Sequence, residues 1–313
     1  MRILILGAGA IGGYFGARLA AAGVDVMFLA RSARAKRLEQ DGIVLLSPLG
    51  DVRQPVAVVT EAAEPFDAAL LTCKAYDLAS AMDAIAPAVG PQTLILPLLN
   101  GLKHLDDLDA RFGAERVLGG LCALSATLTE TGEIRHLNRL QRFVFGPRSP
   151  VQAAACGTLR QELSRGGFAP ILSPNILQDM WEKYVFLATA AGMTCLMRAP
   201  IGRILQADEG ETLMLEMLEE CVGAASASGH APRPESLADA RAMLTQRGSN
   251  IAASMLRDIE RGGPTEGEHI LGDMLARARR AGATAPLLRV ARAHVQIYEA
   301  SRAPQGASAA LRA

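Results

Sequence analysis

Residues 1–13, Met1-Arg2-Ile3-Leu4-Ile5-Leu6-Gly7-Ala8-Gly9-Ala10-Ile11-Gly12-Gly13, decide the fold class. The apolar run Ile3–Leu6 reads as a buried strand, and glycines follow it in the order GxGxxG. From Ile11 to Ala22 the small and apolar residues read as a tightly packed helix. One arginine followed by apolar residues imitates a secretion signal, but the glycine spacing fits a folded strand–turn–helix better. In that setting Gly7 permits the tight turn, Gly9 lets a pyrophosphate approach the backbone, and Gly12 lets helix and strand pack closely. The pyrophosphate would rest on free N–H groups at the helix start. The expected dinucleotide contacts are therefore Gly7, Ala8, Gly9, Ala10, Ile11 and Gly12. The plainer alternative is a glycine-rich packing turn.

The next strand, Val24–Ala30, selects the cofactor at its end. NAD enzymes place Asp or Glu there for the ribose 2′-hydroxyl. Here Arg31-Ser32 follows, with Arg34 close by, while Asp25 lies at the wrong end. A guanidinium forms paired hydrogen bonds to a phosphate and stacks on adenine. Arg31 therefore points to NADPH/NADP+, against the plainer reading of a solvated arginine.

Short strands alternate with helices through the first half. Strands are expected at Ile43–Leu46, Val56–Val59, Ala68–Thr72 and Leu94–Leu98, and helices at Asp77–Val89 and His104–Phe112. This alternation predicts βαβ units around a parallel sheet, an α/β Rossmann domain over residues 1–173. From Pro174 the pattern is all-helical, with Ile176–Arg198, Glu209–Ser228, Leu237–Arg247, Asn250–Arg261, Thr265–Ala281 and Ala285–Ala300. Residues 174–313 are expected to form a helical domain, with a loose Ala/Gly/Ser-rich tail from Pro304.

Composition narrows the function. The chain has 313 residues, with 32 Lys plus Arg, 32 Asp plus Glu and a formal net charge of zero. That balance argues against a nucleic-acid binder, which needs a basic face, and gives no polybasic membrane patch. The longest apolar run, Tyr184–Met197, falls short of the roughly 18 residues of a membrane span. Five scattered cysteines without a CxxC pair offer neither a disulfide framework nor a zinc ribbon, and reduced thiols suit a cytoplasmic protein. The dispersed histidines propose no metal site.

Further motifs carry chemistry. Lys74 follows the strand Ala68–Thr72, and Asn100-Gly101 follows Leu94–Leu98, both at carboxyl ends of parallel strands, where ligands bind in such sheets. In the helical half come Trp181-Glu182-Lys183, then Ser254-Met255-Leu256-Arg257-Asp258, then Pro264-Thr265-Glu266. In this combination and order the chain resembles the ketopantoate reductase (2-dehydropantoate 2-reductase) family from Met1 to about Ala300. The resemblance implies a Rossmann domain, a helical domain like the C-terminal part of 6-phosphogluconate dehydrogenase, and an active site in the cleft between them. It further implies NADPH-dependent reduction of a small-molecule 2-oxo acid to a 2-hydroxy acid, in pantothenate biosynthesis for the family's namesake substrate. Lys183 matches the family's catalytic lysine and Glu266 the glutamate that orients it and binds the reacting hydroxyl. Ser254 matches the serine on the substrate carboxylate and Thr194 a family threonine. Lys74 and Asn100 match groups near the nicotinamide ribose and the lysine.

The chemistry asks for such groups on its own terms. Hydride attack on a ketone builds negative charge on oxygen, which must be stabilised and protonated. Each residue also has a plainer reading. Lys183 and Lys74 would then be solvated lysines, Glu266 a first-turn helix acid, Ser254 an ordinary helix serine and Asn100 a turn residue. The sequence departs from the family where asparagines usually stand one and two turns beyond the lysine, here Leu187 and Ala191. That leaves open a different 2-oxo acid, a different dehydrogenase substrate, or an NADP-binding sensor without turnover. The helical half is apolar enough to carry a homodimer interface as well as a core.

Overall fold

The computed structural model describes residues 1–302. The tail expected from Pro304 lies outside the described residues. The chain divides into two compact units, the first ending at Met180 and the second beginning at Trp181, inside one helix.

The first unit begins with β1 (Arg2–Leu6), α1 (Ala10–Ala21), β2 (Asp25–Leu29), α2 (Ser32–Asp41), β3 (Ile43–Leu46), β4 (Val52–Gln54), β5 (Ala57–Val59) and β6 (Ala68–Leu71). It continues with α3 (Leu78–Ile85), β7 (Leu94–Pro97), α4 (Lys103–Phe112), β8 (Gly119–Leu128), β9 (Ile134–Gly146), α5 (Ala153–Ser164) and β10 (Ile171–Leu172). One sheet runs β5-β2-β1-β6-β7 with every pair parallel. From β1 the chain builds outward through β2 to β5, then returns to β6 on the other side of β1. This reversal opens a crevice at the carboxyl ends of β1 and β6.

A second sheet, which the sequence did not announce, runs β10-β9-β3-β4, with β8 antiparallel to β9. Its long hairpin strands alternate only locally, and β9 exposes Leu137 and Leu140, so period two is broken in the middle. Helix α1 touches β2 of the first sheet and β3, β8 and β9 of the second. Phe15 meets Phe143 and Phe168 edge-on, each with ring centroids 4.9 Å apart. Those rings join Ile3, Ile5, Phe28, Leu70 and Ile134 in one buried core.

The glycines of α1 make that contact possible. A Cβ on Gly16 would fall inside 3.0 Å of Phe28 and Ile5, and one on Gly13 inside 3.0 Å of Ile134. The helix thus presents bare backbone to strands of both sheets.

The second unit is helical, as expected. Helix α6 (Ile176–Met197) enters it, followed by α7 (Ile201–Ile204), α8 (Gly210–Ala227), α9 (Pro234–Leu244), α10 (Ser254–Glu260), α11 (Asp273–Arg280) and α12 (Pro286–Arg302). Two expected helices are shorter. Asn250–Ala253 is not helical, because Ile201 N–H donates to Ile251 O and Gly202 N–H to Ser249 O, and these bonds hold the segment to α7. The stretch expected as one helix from Thr265 instead begins with a π-helical turn, Glu268–Gly272, before α11.

A methyl group separates the two kinds of glycine. Gly16→Ala overpacks the core and is expected to cost about 1–3 kcal/mol. Gly157→Ala, in α5 with nothing within 4 Å of its Cβ position, is expected to gain about 0.4–1 kcal/mol. Urea midpoints of the two variants should move in opposite directions.

Candidate functional site

The glycine loop is built by its neighbours. Gly7 has φ +98°, a conformation that L side chains rarely adopt, and its N–H donates to Leu29 O at 3.1 Å. The chain then enters α1 with Gly9 as its cap and no side chain on the free N–H groups of the first turn. Nothing lies within 4 Å of the Cβ position at Gly9, so that face is open. A Cβ on Gly12 would collide with Gly7 O and Thr72 Oγ1. Thr72, which the sequence reading passed over, donates its hydroxyl to Leu6 O and Gly7 O, both at 2.9 Å. It clasps the loop to the end of β6. An open helix start beside bare glycine is a ready cradle for a pyrophosphate.

A cavity of about 460 Å³ adjoins this loop. Gly7, Ala8, Gly9, Arg31 and Lys74, all expected site residues, line it. Ala10, Ile11 and Gly12 form the first turn behind the loop, and Asn100 lies beyond β7, outside the lining. Lys74 caps the short 3₁₀ turn Ala75–Asp77 just past β6.

Arg31, Arg34, Lys74 and Asp77 are the charged side chains that line the cavity. Arg31 is 76% exposed and pairs with Asp77 at 2.6 Å; that carboxylate raises the arginine's pKa. An exposed pair of this kind contributes about 0–1 kcal/mol. Arg34 is half-buried, and its guanidinium is fixed by two carbonyls, Nε–H to Ala8 O at 3.0 Å and Nη1 to Gly132 O at 2.8 Å. Burial, and secondarily Arg37, lower its pKa. Its Nη2 is buried without a hydrogen-bond partner. Other atoms of Arg34 line the cavity, so a cationic side chain stands beside the glycine loop, as a phosphorylated ligand requires. Asp77 escaped the sequence reading because 46 residues separate it from its partner.

In the second unit, firmly held residues surround Lys183. Trp181 stacks on the His230 ring at 5.5 Å and 19°, and the Arg277 guanidinium lies 5.2 Å from the indole centroid. Burial first, and then Arg277, lower the His230 pKa. Glu182 is buried and accepts from Arg233 N–H at 2.9 Å and Nε–H at 2.7 Å. Tyr184 donates to Ile270 O at 2.7 Å, with Asp273 Oδ2 3.2 Å away. Burial, reinforced by Asp273, holds the Tyr184 phenol well above its ordinary pKa. Asp273 in turn accepts from Arg277 Nε–H at 2.8 Å. Lys183 itself is half-buried. Its chain neighbours tie α6 to the start of α9 and to the π-helical turn.

Glu266 is buried immediately before that turn, and Ile270 N–H donates to Glu266 O at 2.9 Å. Ser254 is the first residue of α10. Thr194, expected to meet substrate, is fully buried. Its hydroxyl donates to Ala190 O at 2.6 Å and accepts from Ala253 N–H at 3.5 Å, so it holds the backbone just before Ser254. Leu187 is half-buried and Ala191 fully buried.

Among the described residues, no group of three or more His, Cys, Asp or Glu side chains could hold a metal. No described helix is long and apolar enough to cross a membrane. None of the five cysteines forms a disulfide. Burial pushes the thiol of Cys156 up to about 11 and those of Cys195 and Cys221 up to about 12. Cys73 is half-buried and lines the cavity. Brief alkylation of the folded protein at pH 8 should mark Cys73 and spare these three. A dinucleotide in the cavity should slow the labelling, and peptide mass spectrometry reads both effects.

Comparison with known proteins covers both units. The family model "Ketopantoate reductase PanE/ApbA" matches residues 3–150, and "Ketopantoate reductase PanE/ApbA C terminal" matches residues 175–299. YkpB of Bacillus subtilis (strain 168), named an uncharacterized oxidoreductase, is 35% identical over 303 residues, covering 96% of this chain and all of that protein. A 2-dehydropantoate 2-reductase of Mesorhizobium japonicum is 29% identical over 296 residues, covering 85% of this chain and 88% of its own. The solved structure of the Methylococcus capsulatus 2-dehydropantoate 2-reductase superposes with a TM-score of 0.84 at 30% identity, covering 97% of this chain and 98% of that one. A Rossmann unit with an open glycine loop, followed by a helical unit, agrees with both matches: the chain belongs to the ketopantoate reductase family of nicotinamide-dependent oxidoreductases.

Proposed function

We propose that this protein reduces a 2-oxo acid to a 2-hydroxy acid with NADPH, and that 2-dehydropantoate is its first candidate substrate. The cavity beside the glycine loop carries the cofactor half of the reading. It presents arginines at the end of β2, where an NAD enzyme places a carboxylate. Bound there, the dihydronicotinamide supplies the hydride. Gly7–Gly12 hold the pyrophosphate, Arg31 the ribose phosphate, and Lys74 and Asn100 the nicotinamide end.

The helical unit supplies the rest. Lys183 stabilises the charge that grows on the ketone oxygen and delivers the proton to it. Glu266 orients the lysine and accepts from the new hydroxyl. Ser254 binds the substrate carboxylate, and Thr194 positions Ser254 through the Ala253 backbone. Rigid placement matters, because a catalytic group displaced by about 1 Å can lose about a hundredfold in rate. The anchored neighbours Trp181, Glu182 and Tyr184 restrict such displacement.

A second reading concerns the substrate only. Leu187 and Ala191 provide no amide at the positions where the family usually carries asparagines. A buried substrate hydroxyl without a partner costs about 1–3 kcal/mol. Those two positions favour a 2-oxo acid with a more apolar tail, handled by the same Lys183 and Glu266. With 2-dehydropantoate as substrate, the protein works in pantothenate biosynthesis; with another acid, it does not.

Steady-state NADPH oxidation with 2-dehydropantoate and a panel of straight and branched 2-oxo acids, run beside NADH, tests this. A kcat/KM for 2-dehydropantoate orders of magnitude above the panel supports the first reading, and a better panel member replaces it with the second. NADPH oxidation with none of them refutes the reductase assignment. Lys183→Ala is expected to lower kcat about 10²–10⁴-fold while leaving NADPH affinity nearly intact; unchanged turnover would remove the lysine from its role.

A further inference from the structure

Lys183 and Glu266 lie on different segments of the helical unit, and one buried phenol connects those segments. Tyr184 follows Lys183 on α6 and is buried. Its hydroxyl donates to Ile270 O at 2.7 Å, and Asp273 Oδ2 lies 3.2 Å away. Ile270 belongs to the π-helical turn Glu268–Gly272, which Asp273 closes. The Ile270 N–H in turn reaches Glu266 O at 2.9 Å. One turn before Tyr184, Trp181 also meets α11, because the Arg277 guanidinium lies 5.2 Å from the indole centroid and donates Nε–H to Asp273 at 2.8 Å. Two contacts one turn apart fix the rotation of α6 about its axis, and with it the direction in which Lys183 leaves the helix.

The far end of this link is a turn that can be wound in two ways. A π turn bonds residues five apart, where an α-helix bonds them four apart, so it holds one residue more. Rewinding it as α-helix would rotate Glu266 by about 100° relative to α11, the angle of one residue. The neighbours of Glu266 leave little room for that rotation. Thr265 N–H donates to Glu299 Oε1 at 2.6 Å, and a Cβ on Gly267 would fall 2.5 Å from Val295 Cγ1. Helix α12 thus holds the residues on both sides of Glu266, and α6 reaches the turn through the Tyr184 hydroxyl.

We propose that Tyr184, with Asp273 beside it, is a positioning residue whose hydroxyl keeps the π-helical turn wound and so fixes the backbone of Glu266 relative to Lys183. The inference rests on the reading of Lys183 as the acid and Glu266 as its orienting partner. Tyr184 acts through backbone and not on the substrate. Burial, reinforced by Asp273, holds the phenol well above its ordinary pKa, so the donor keeps its proton through the neutral range. An ordinary core hydrogen bond that contributes to stability alone is the competing explanation.

A double-mutant cycle on the full chain separates the two. The variants are Tyr184→Phe, which removes the hydroxyl and keeps the ring, Glu266→Gln, and the pair together. Turnover is measured with NADPH and 2-dehydropantoate, or with the panel acid that is reduced fastest. Tyr184→Phe should lower kcat about ten- to hundredfold, the loss expected for a reacting group displaced by about 1 Å. KM for the oxo acid and the Kd of NADPH should stay within about twofold of the unsubstituted protein, since a group that acts only in the transition state leaves ground-state binding alone. In the Glu266→Gln background the same change should cost no more than about twofold, because the group it positions is already gone. Amide hydrogen exchange, read by mass spectrometry without any ligand, should quicken over residues 264–274 in Tyr184→Phe and not over α8. Asp273→Asn should show the same pattern and serves if the phenylalanine variant does not fold.

An equal loss of kcat from Tyr184→Phe in both backgrounds would make the tyrosine an ordinary core residue and overturn the proposal. Unchanged exchange over residues 264–274 would do the same, as would a loss confined to KM or to NADPH binding. If Glu266→Gln turns over as fast as the unsubstituted protein, the reading of Glu266 fails and this inference fails with it. If Glu266→Gln is slow and Tyr184→Phe is not, this inference alone fails.

Discussion

Helix α1 is caught between two β-sheets, and the rest of the first unit depends on how closely they approach it. Gly16 takes the ring of Phe28, Gly13 takes Ile134, and Gly12 lies against Gly7 O and Thr72 Oγ1. Larger residues at these places would push the helix away from both sheets. The loop of Gly7–Gly9 would then lose its register with the end of β6, where Thr72 clasps it. The packing of one helix thus sets the geometry of the cofactor cavity. Phe15, Phe143 and Phe168 lock the arrangement with edge-on contacts. Each fully buried aromatic or aliphatic side chain of this core contributes about 1.5–3 kcal/mol through removal from water.

The same loop sits in a distinctive electrostatic setting. The free N–H groups at the start of α1 favour an anion. Arg31, Arg34 and Lys74 add three positive charges beside them, and one carboxylate, Asp77, offsets that of Arg31. This is a cavity built for a ligand with several phosphate groups.

The helical unit is held together differently, without a sheet beneath it. Helix α6 is fixed by stacking at Trp181, by an ion pair at Glu182 and by a buried hydrogen bond at Tyr184. The Tyr184 bond ends on Ile270 O, within the π-helical turn that follows Glu266. A π turn leaves the ordinary helical hydrogen-bond ladder, and such turns often occur at functional sites. Here one turn is joined both to the residue after Lys183 and, through Ile270 N–H, to the backbone of Glu266.

Some of this was written in local sequence. The strand–glycine–helix opening, the alternation through β7, the helical second half and the family motifs each lie within a few residues of one another, so local periodicity and turn chemistry reveal them. Other features were not legible. Strands β8 and β9 pair with each other, with β3 and with β10, and their exposed Leu137 and Leu140 hide the alternation. The segment Asn250–Ala253 has a helical composition but is held by backbone donors of α7 and by Thr194. The Arg31–Asp77 pair, the unpartnered edge of Arg34 and the network from Trp181 to Asp273 join residues that are distant in the chain. The sequence by itself determined the Rossmann and helical classes and the family, because those depend on short-range pattern. Tertiary structure alone decided which charges face one another and which hydroxyls are already engaged, because those depend on packing between distant segments.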